Sequence, residues 1–223
     1  MAKTKKPDPA TATAHLAAND PDWATLIDYI GPCGLASIPK REPYEALVRA
    51  VAHQQIHGRA AAAILGRFLA LHPGTPFPLP HHILATDETA LRACGFSVAK
   101  LTTIRGIAQQ AIAGVVPTRR AADHMADEEL IARLVSLRGV GRWTVEMFLI
   151  HTLGRPDILP VDDFGVREGW RAIKGLAEQP KPKELAKIGL AWSPYRSTAA
   201  WYLWRAADAS RLALSRATAK ARK

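Results

Sequence analysis

Cysteine is scarce in this chain. Of 223 residues only Cys33 and Cys94 carry thiols, and they lie far apart. That excludes a disulfide framework, a four-cysteine zinc site and a cysteine-ligated iron–sulfur cluster within one chain. Long hydrophobic runs are missing too. No stretch approaches the roughly 20 apolar residues of a membrane span, and Met1 to Ala10 is lysine- and proline-rich without the apolar stretch of a secretory signal. The expectation is a cytoplasmic protein with no membrane partner. Period-two alternation flanked by turn chemistry is absent as well, which leaves no strand to build a sheet.

What is present is helix chemistry and positive charge. Thirty Lys and Arg against 20 Asp and Glu give a net charge of +10. Seven of those bases (Lys3, Lys5, Lys6, Arg216, Lys220, Arg222 and Lys223) sit near the ends with only Asp8 to offset them, and +4 remains on the body. A polyanion partner is favoured, but charge alone does not name it. Apolar residues at helical spacing predict helices over 21–30, 44–52, 59–71, 87–93, 98–113, 127–137, 142–153, 162–173, 182–188 and 194–209. Asn19 or Asp20 would cap the first, Asp127 the sixth, and Ser193-Pro194 the last. Residues 1 to about 12 read as a disordered basic tail, 214–223 as a second basic tail, and Pro76, Pro78 and Pro80 as an extended loop. The fold class is all-α.

Three motifs carry chemistry. Leu137-Arg138-Gly139-Val140-Gly141-Arg142-Trp143-Thr144 joins two helices through a hairpin with two glycines. Glycine permits positive φ and close backbone approach, and the N–H groups opening the second helix suit a phosphate oxygen. Arg142 adds charge there. Such a hairpin grips a nucleic-acid backbone without reading its sequence. About twenty residues on, Leu159-Pro160-Val161-Asp162-Asp163-Phe164-Gly165-Val166-Arg167 opens a helix with two acids. One acid, Asp162, suffices as cap, which leaves Asp163 to point elsewhere. The third motif is Ala50-Val51-Ala52-His53-Gln54-Gln55-Ile56-His57-Gly58-Arg59. His53 and His57 stand at i,i+4, but no third ligand accompanies them, so no catalytic metal is expected.

The octet around Gly139 and Gly141 resembles the helix–hairpin–helix of the DNA glycosylase superfamily (HhH-GPD), with Arg138 in place of the usual proline. The resemblance covers roughly residues 15–210. It implies two helical subdomains with the active-site cleft between them. One would be discontinuous, 13–43 plus 159–213. The other, six-helix, would span 44–158 and carry the helix–hairpin–helix at about 130–153.

By the same resemblance, Gly139, Val140, Gly141, Arg142 and Thr144 would bind the DNA backbone, and an alkali ion could sit at the hairpin carbonyls with no other cofactor. Asp163 is the match for the catalytic aspartate, which would stabilise the oxocarbenium-like sugar and orient the attacking water. Bifunctional members carry a lysine at the position of Trp143 to form a Schiff base. No lysine lies between Lys100 and Lys174, so no lyase chemistry is expected.

Trp192-Ser193-Pro194-Tyr195-Arg196-Ser197 followed by Trp204 resembles the 3-methyladenine DNA glycosylase II branch, in the compact form without an N-terminal β domain. Trp143 and Trp204, bounded by Asp162, would then line a pocket for a flipped, positively charged alkylated base. Gln55, with His57 as second candidate, would enter the gap left in the duplex. The implied partner is double-stranded DNA containing alkylated bases, met by a monomer in a bacterial cytoplasm. Two alternatives share the hairpin: a non-enzymatic DNA clamp, which has no use for Asp163, and a monofunctional glycosylase for deaminated or oxidised bases.

Overall fold

A computed structural model describes residues 8–38, 40–56 and 58–221, with side chains of residues up to 210. Among the described residues every regular element is helical. No described helix is long and apolar enough to cross a membrane. The chain forms two compact units and changes between them at Ser37/Ile38 and at Leu153/Gly154, a few residues ahead of the expected changes at 43 and 158.

The first unit, Ile38–Leu153, contains α3 (Pro43–His53), α4 (Gly58–Ala70), α5 (Pro80–Ala85), α6 (Glu88–Ala93), α7 (Val98–Ile112), α8 (Arg119–Ala122), α9 (Asp127–Val135) and α10 (Arg142–Phe148). A π-helical turn, Leu149–Leu153, completes α10 where one uninterrupted α-helix is expected. Helix α7 is central: α3, α5 and α6 pack on it, and α10 packs on α3 and α9. Leu47, Val51, Ile104, Leu130, Val145 and Phe148 are almost wholly buried along those contacts. Helices α5 and α8 lie where the sequence suggests no helix. Pro80 at the first helical position of α5 costs no hydrogen bond, so a proline-rich stretch still nucleates a turn. Asp127 does not cap α9: Ala126 occupies that position, and Asp127, Glu128 and Glu129 line the first turn, where they favour the helix dipole.

The second unit holds α1 (Pro9–Asn19), α2 (Pro21–Ile30), α11 (Phe164–Lys174), α12 (Pro182–Ile188), a 3-10 turn (Gly189–Trp192) and α13 (Arg196–Ala221). Helix α1 begins inside the segment read as a tail. Asp8-Pro9 repeats the cap-and-proline start of Asp20-Pro21, and Ala12 and Leu16 are buried. At the other end α13 continues to Ala221 through an alanine-, leucine- and arginine-rich stretch of high helix propensity. Residues 1–7, 222 and 223 of the expected tails lie outside the described residues.

The core of this unit is aromatic. Trp23, Trp170 and Trp192 meet with ring centroids 5.1–6.1 Å apart. The buried Tyr202 spends its hydroxyl on the Gly31 carbonyl at 3.0 Å. A Cβ at Gly169 would lie 2.0 Å from the Leu203 carbonyl oxygen, so α11 and α13 touch backbone to backbone there. Helix α13 starts at Arg196, not at Pro194, and Ser193 does not cap it. Asp157, from the loop before α11, accepts from Arg196 N–H, the Arg196 guanidinium and Ser193 Oγ. A cap supplied from 39 residues away leaves no local signal.

Candidate active site

In the second unit the cap that the sequence suggests for Asp162 falls to Asp163. Residues 160–163 close a turn, with Asp163 N–H donating to the Pro160 carbonyl at 3.0 Å. That turn uses up Asp162, which is exposed, and shifts the helix start by one residue. Asp163 is therefore the N-cap of α11, in extended conformation, with Oδ1 accepting from Val166 N–H at 2.9 Å. The same oxygen accepts the Trp204 indole N–H at 2.9 Å. Capping and site chemistry thus reside in one side chain. Trp204 is half-buried and touches the carboxylate directly, a relation that its reading as a stacking wall did not include.

Gly165 makes that approach possible. A Cβ there would stand 2.9 Å from Trp204 Cδ1 and 3.1 Å from Asp163 Oδ1. Sequence reasoning passed over this residue, although a glycine inside a helix costs about 1 kcal/mol against alanine and so marks a close neighbour. The other aromatics of the C-terminal cluster divide: Trp192 and Tyr202 belong to the core, while Trp201 stands edge-on to Tyr202 and over Gly34.

In the first unit the hairpin connects α9 to α10. Only one of its glycines is required by backbone shape. Gly139 has φ +81°, and a Cβ there would fall 2.1 Å from Thr103 Oγ1 on α7. Gly141 has an ordinary φ of −87°, and nothing lies within 4 Å of where its Cβ would be. Val140 is buried, with its N–H donating to the Leu137 carbonyl at 3.0 Å. Thr144 is buried as well, and its Oγ1 accepts from Gln54 Nε2 at 3.1 Å.

Arg142 brings its charge to the hairpin already partnered. Its guanidinium pairs with Glu128 at 2.8 Å and with the buried Glu146 at 3.0 Å, so its charge serves the two carboxylates. Arg138, by contrast, is exposed on the hairpin. Trp143 is half-buried in the first turn of α10. The hairpin carbonyls fit an alkali ion. Leu137 O accepts one N–H and keeps a second lone pair, and those of Arg138 and Val140 take no donor among the described residues. No group of three or more His, Cys, Asp or Glu side chains placed to hold a metal occurs among the described residues.

The turn after α3 carries the third motif. Gln55 is exposed and adopts φ +58°, the one described non-glycine residue with positive φ. A bulky side chain held in that region costs of order 1 kcal/mol or more, and such strain gathers at functional positions. Gln54 points inward to the hairpin. His57 lies outside the described residues.

Comparison with known proteins agrees with this geometry. Residues 48–194 match the family model described as the HhH-GPD superfamily base excision DNA repair protein. The chain is 42% identical over 195 residues to DNA-3-methyladenine glycosylase 1 of Schizosaccharomyces pombe, covering 87% of this chain and 86% of that protein. It is 36% identical to the alkylbase DNA glycosidase-like protein mag2 of the same yeast, over 91% and 95% of the two chains.

Among solved structures, the S. pombe 3-methyladenine DNA glycosylase in complex with abasic DNA superposes with a TM-score of 0.83, at 42% identity over 87% of this chain and 95% of that one. A DNA-3-methyladenine glycosidase from Bacillus halodurans gives 0.77 at 31% identity, with 93% of both chains covered. With its glycine hairpin and with Asp163 heading α11, the chain belongs to the HhH-GPD superfamily of base excision DNA repair proteins.

Proposed function

We propose that this protein is a monofunctional DNA glycosylase that hydrolyses the N-glycosidic bond of alkylated purines, such as 3-methyladenine and 7-methylguanine, in duplex DNA. The observation that carries the reading is the Asp163 carboxylate, fixed at the start of α11 by the Val166 N–H and the Trp204 indole N–H. A clamp that only binds DNA would use the cap but has no use for an indole N–H on the same carboxylate oxygen. The names of the relatives described above, two 3-methyladenine glycosylases or glycosidases and one alkylbase glycosidase-like protein, supply the substrate class.

The reaction follows from the residues. The hairpin, with Gly141 open to its surroundings and Arg138 exposed beside it, grips the sugar–phosphate backbone as a monomer on one duplex. Gln55 fills the space of the displaced nucleotide, whose unstacking costs least where the lesion already weakens pairing. Tryptophan faces favour a purine made cationic by alkylation. The bond from C1′ to the base nitrogen then breaks with both electrons going to the base, which leaves neutral. Positive charge passes to the sugar, where the Asp163 carboxylate opposes it. Water adds to C1′, and its proton leaves through Asp163 to solvent, giving an abasic site. Trp143 occupies the place of a Schiff-base lysine, so the strand is not cut.

The test is release of free bases from methylating-agent-treated duplex DNA, separated by chromatography. Wild type should release 3-methyladenine, and Asp163→Asn should lose release by about a thousandfold or more while retaining DNA binding. Equal release by the two proteins would overturn the role of Asp163. No release by a folded, DNA-binding wild type would leave the clamp reading in its place.

A further inference from the structure

The turn that carries Gln55 is fastened twice, and both fastenings lead to the hairpin. Helix α3 ends at His53, so the carbonyls of its last turn lack intrahelical donors. Lys100, on α7, serves one of them and the C-cap carbonyl beyond: its Nζ donates to the Ala52 carbonyl at 2.9 Å and to the Gln54 carbonyl at 2.7 Å. Burial pushes the Lys100 amine below its ordinary pKa, as expected of an ammonium whose partners are dipoles.

Three residues along the same helix, and hence on the same face, Thr103 stands against Gly139 so closely that no side chain fits between them. The Gln54 carboxamide closes the loop by donating to Thr144 Oγ1 at 3.1 Å and to the Gly139 carbonyl at 3.4 Å. Residues 54–55 and the hairpin are therefore braced against one helix and bonded to each other.

A side chain that enters a duplex must push against something. If its turn yielded, the displaced nucleotide would return to the stack. We propose that Lys100 and Gln54 are positioning residues that lock the Gln55 turn to the backbone-gripping hairpin, so that holding the strand and displacing the base are mechanically one event. This rests on the reading of Gln55 as the residue that fills the gap. Neither Lys100 nor Gln54 touches the reacting atoms; both act through the turn.

The brace can be tested by asking whether its loss is felt only when a paired base must be displaced. Lys100→Met keeps the stem and removes the donors. On 3-methyladenine in a fully paired duplex, the single-turnover rate should fall about 10- to 100-fold, as for a lost hydrogen bond to a charged donor. On the same lesion in an unpaired bulge, where displacement costs little, the loss should be less than about threefold. Affinity for undamaged duplex should likewise stay within about threefold.

Lys100→Arg should recover most of the rate on paired substrate. Gln54→Ala should repeat the pattern, and it serves alone if Lys100→Met does not fold. Equal losses on paired and bulged lesions, or no loss on either, would overturn the proposal. A wild type that releases no base from either duplex would overturn the glycosylase reading instead. In that event the fluorescence of 2-aminopurine paired with thymine still reads the brace, since a secured Gln55 keeps the displaced reporter out of the stack and a loosened one lets it return.

Discussion

Asp163 gives one oxygen to two donors, and the indole's contribution can be separated from its ring. Trp204→Phe keeps the aromatic face and removes the N–H at 2.9 Å from Oδ1. Base release should fall about 10- to 100-fold, the range for a hydrogen bond to a charged group. Stability should change by no more than about 1 kcal/mol, because Val166 N–H still holds the cap. Single-turnover release and a urea melt on the same preparation would show it, and an unchanged rate would reduce Trp204 to a packing residue. Asp163 was legible in the sequence as one of two acids after a proline, one short helix beyond the hairpin. Its division of labour with Asp162 was not. The Pro160–Asp163 turn decides which acid caps, and turn closure depends on ψ at Val161 and Asp162, which side-chain type does not specify.

Helix α10 and its hairpin show what a glycine pair conceals. Both glycines suggested positive φ or close approach, yet Gly139 meets both conditions and Gly141 neither. Gly139→Ala forces a Cβ into the Thr103 side chain at a left-handed φ, and should cost about 3 kcal/mol of stability. Gly141→Ala meets no protein atom and should move the melt by about 1 kcal/mol or less. It does put a methyl group where the backbone of a ligand would approach. Affinity for undamaged duplex should then drop on the order of tenfold, the worth of one charge-assisted hydrogen bond. A urea melt and a fluorescence-anisotropy titration separate the two variants. Loss of stability at Gly141, or unchanged binding there, would remove the hairpin's outer face from the DNA contact. The partners of Arg142 and Thr144 are only partly legible: Glu146 stands at i,i+4 to Arg142 on the same helix, whereas Glu128 and Gln54 come from other elements, which sequence neighbourhood cannot register.

At the scale of the whole chain, helices were legible where start chemistry and apolar spacing stood out together, as at Asp20-Pro21 before α2. They were missed where they are short, as α5 and α8, and at α1, where a basic, proline-rich start hides an 11-residue helix behind the composition of a tail. The second unit depends on remote bonds, and they make a prediction about acid. Burial alone would raise the pKa of Asp157, but bonds from Arg196 and Ser193 outweigh it and hold the carboxylate below its ordinary value. The Lys174 ammonium, bonded to Asp20, does the same for that carboxylate.

For both groups the unfolded chain takes up a proton at higher pH than the folded one. Their stabilisation is therefore complete above about pH 5, a unit beyond the unfolded carboxylate pKa. It declines as pH falls through about 4 toward the lower folded values. Thermal midpoints should be flat from pH 7 to 5 and drop steeply from 4 to 3. Asp157→Asn should lower the midpoint at pH 7, since Arg196 and the first turn of α13 lose their anionic partner, and should make the acid limb shallower. A variant with the wild-type acid limb would mean that Asp157 carries none of the acid sensitivity, and that its bonds to Arg196 and Ser193 hold the loop to α13 without linking stability to pH.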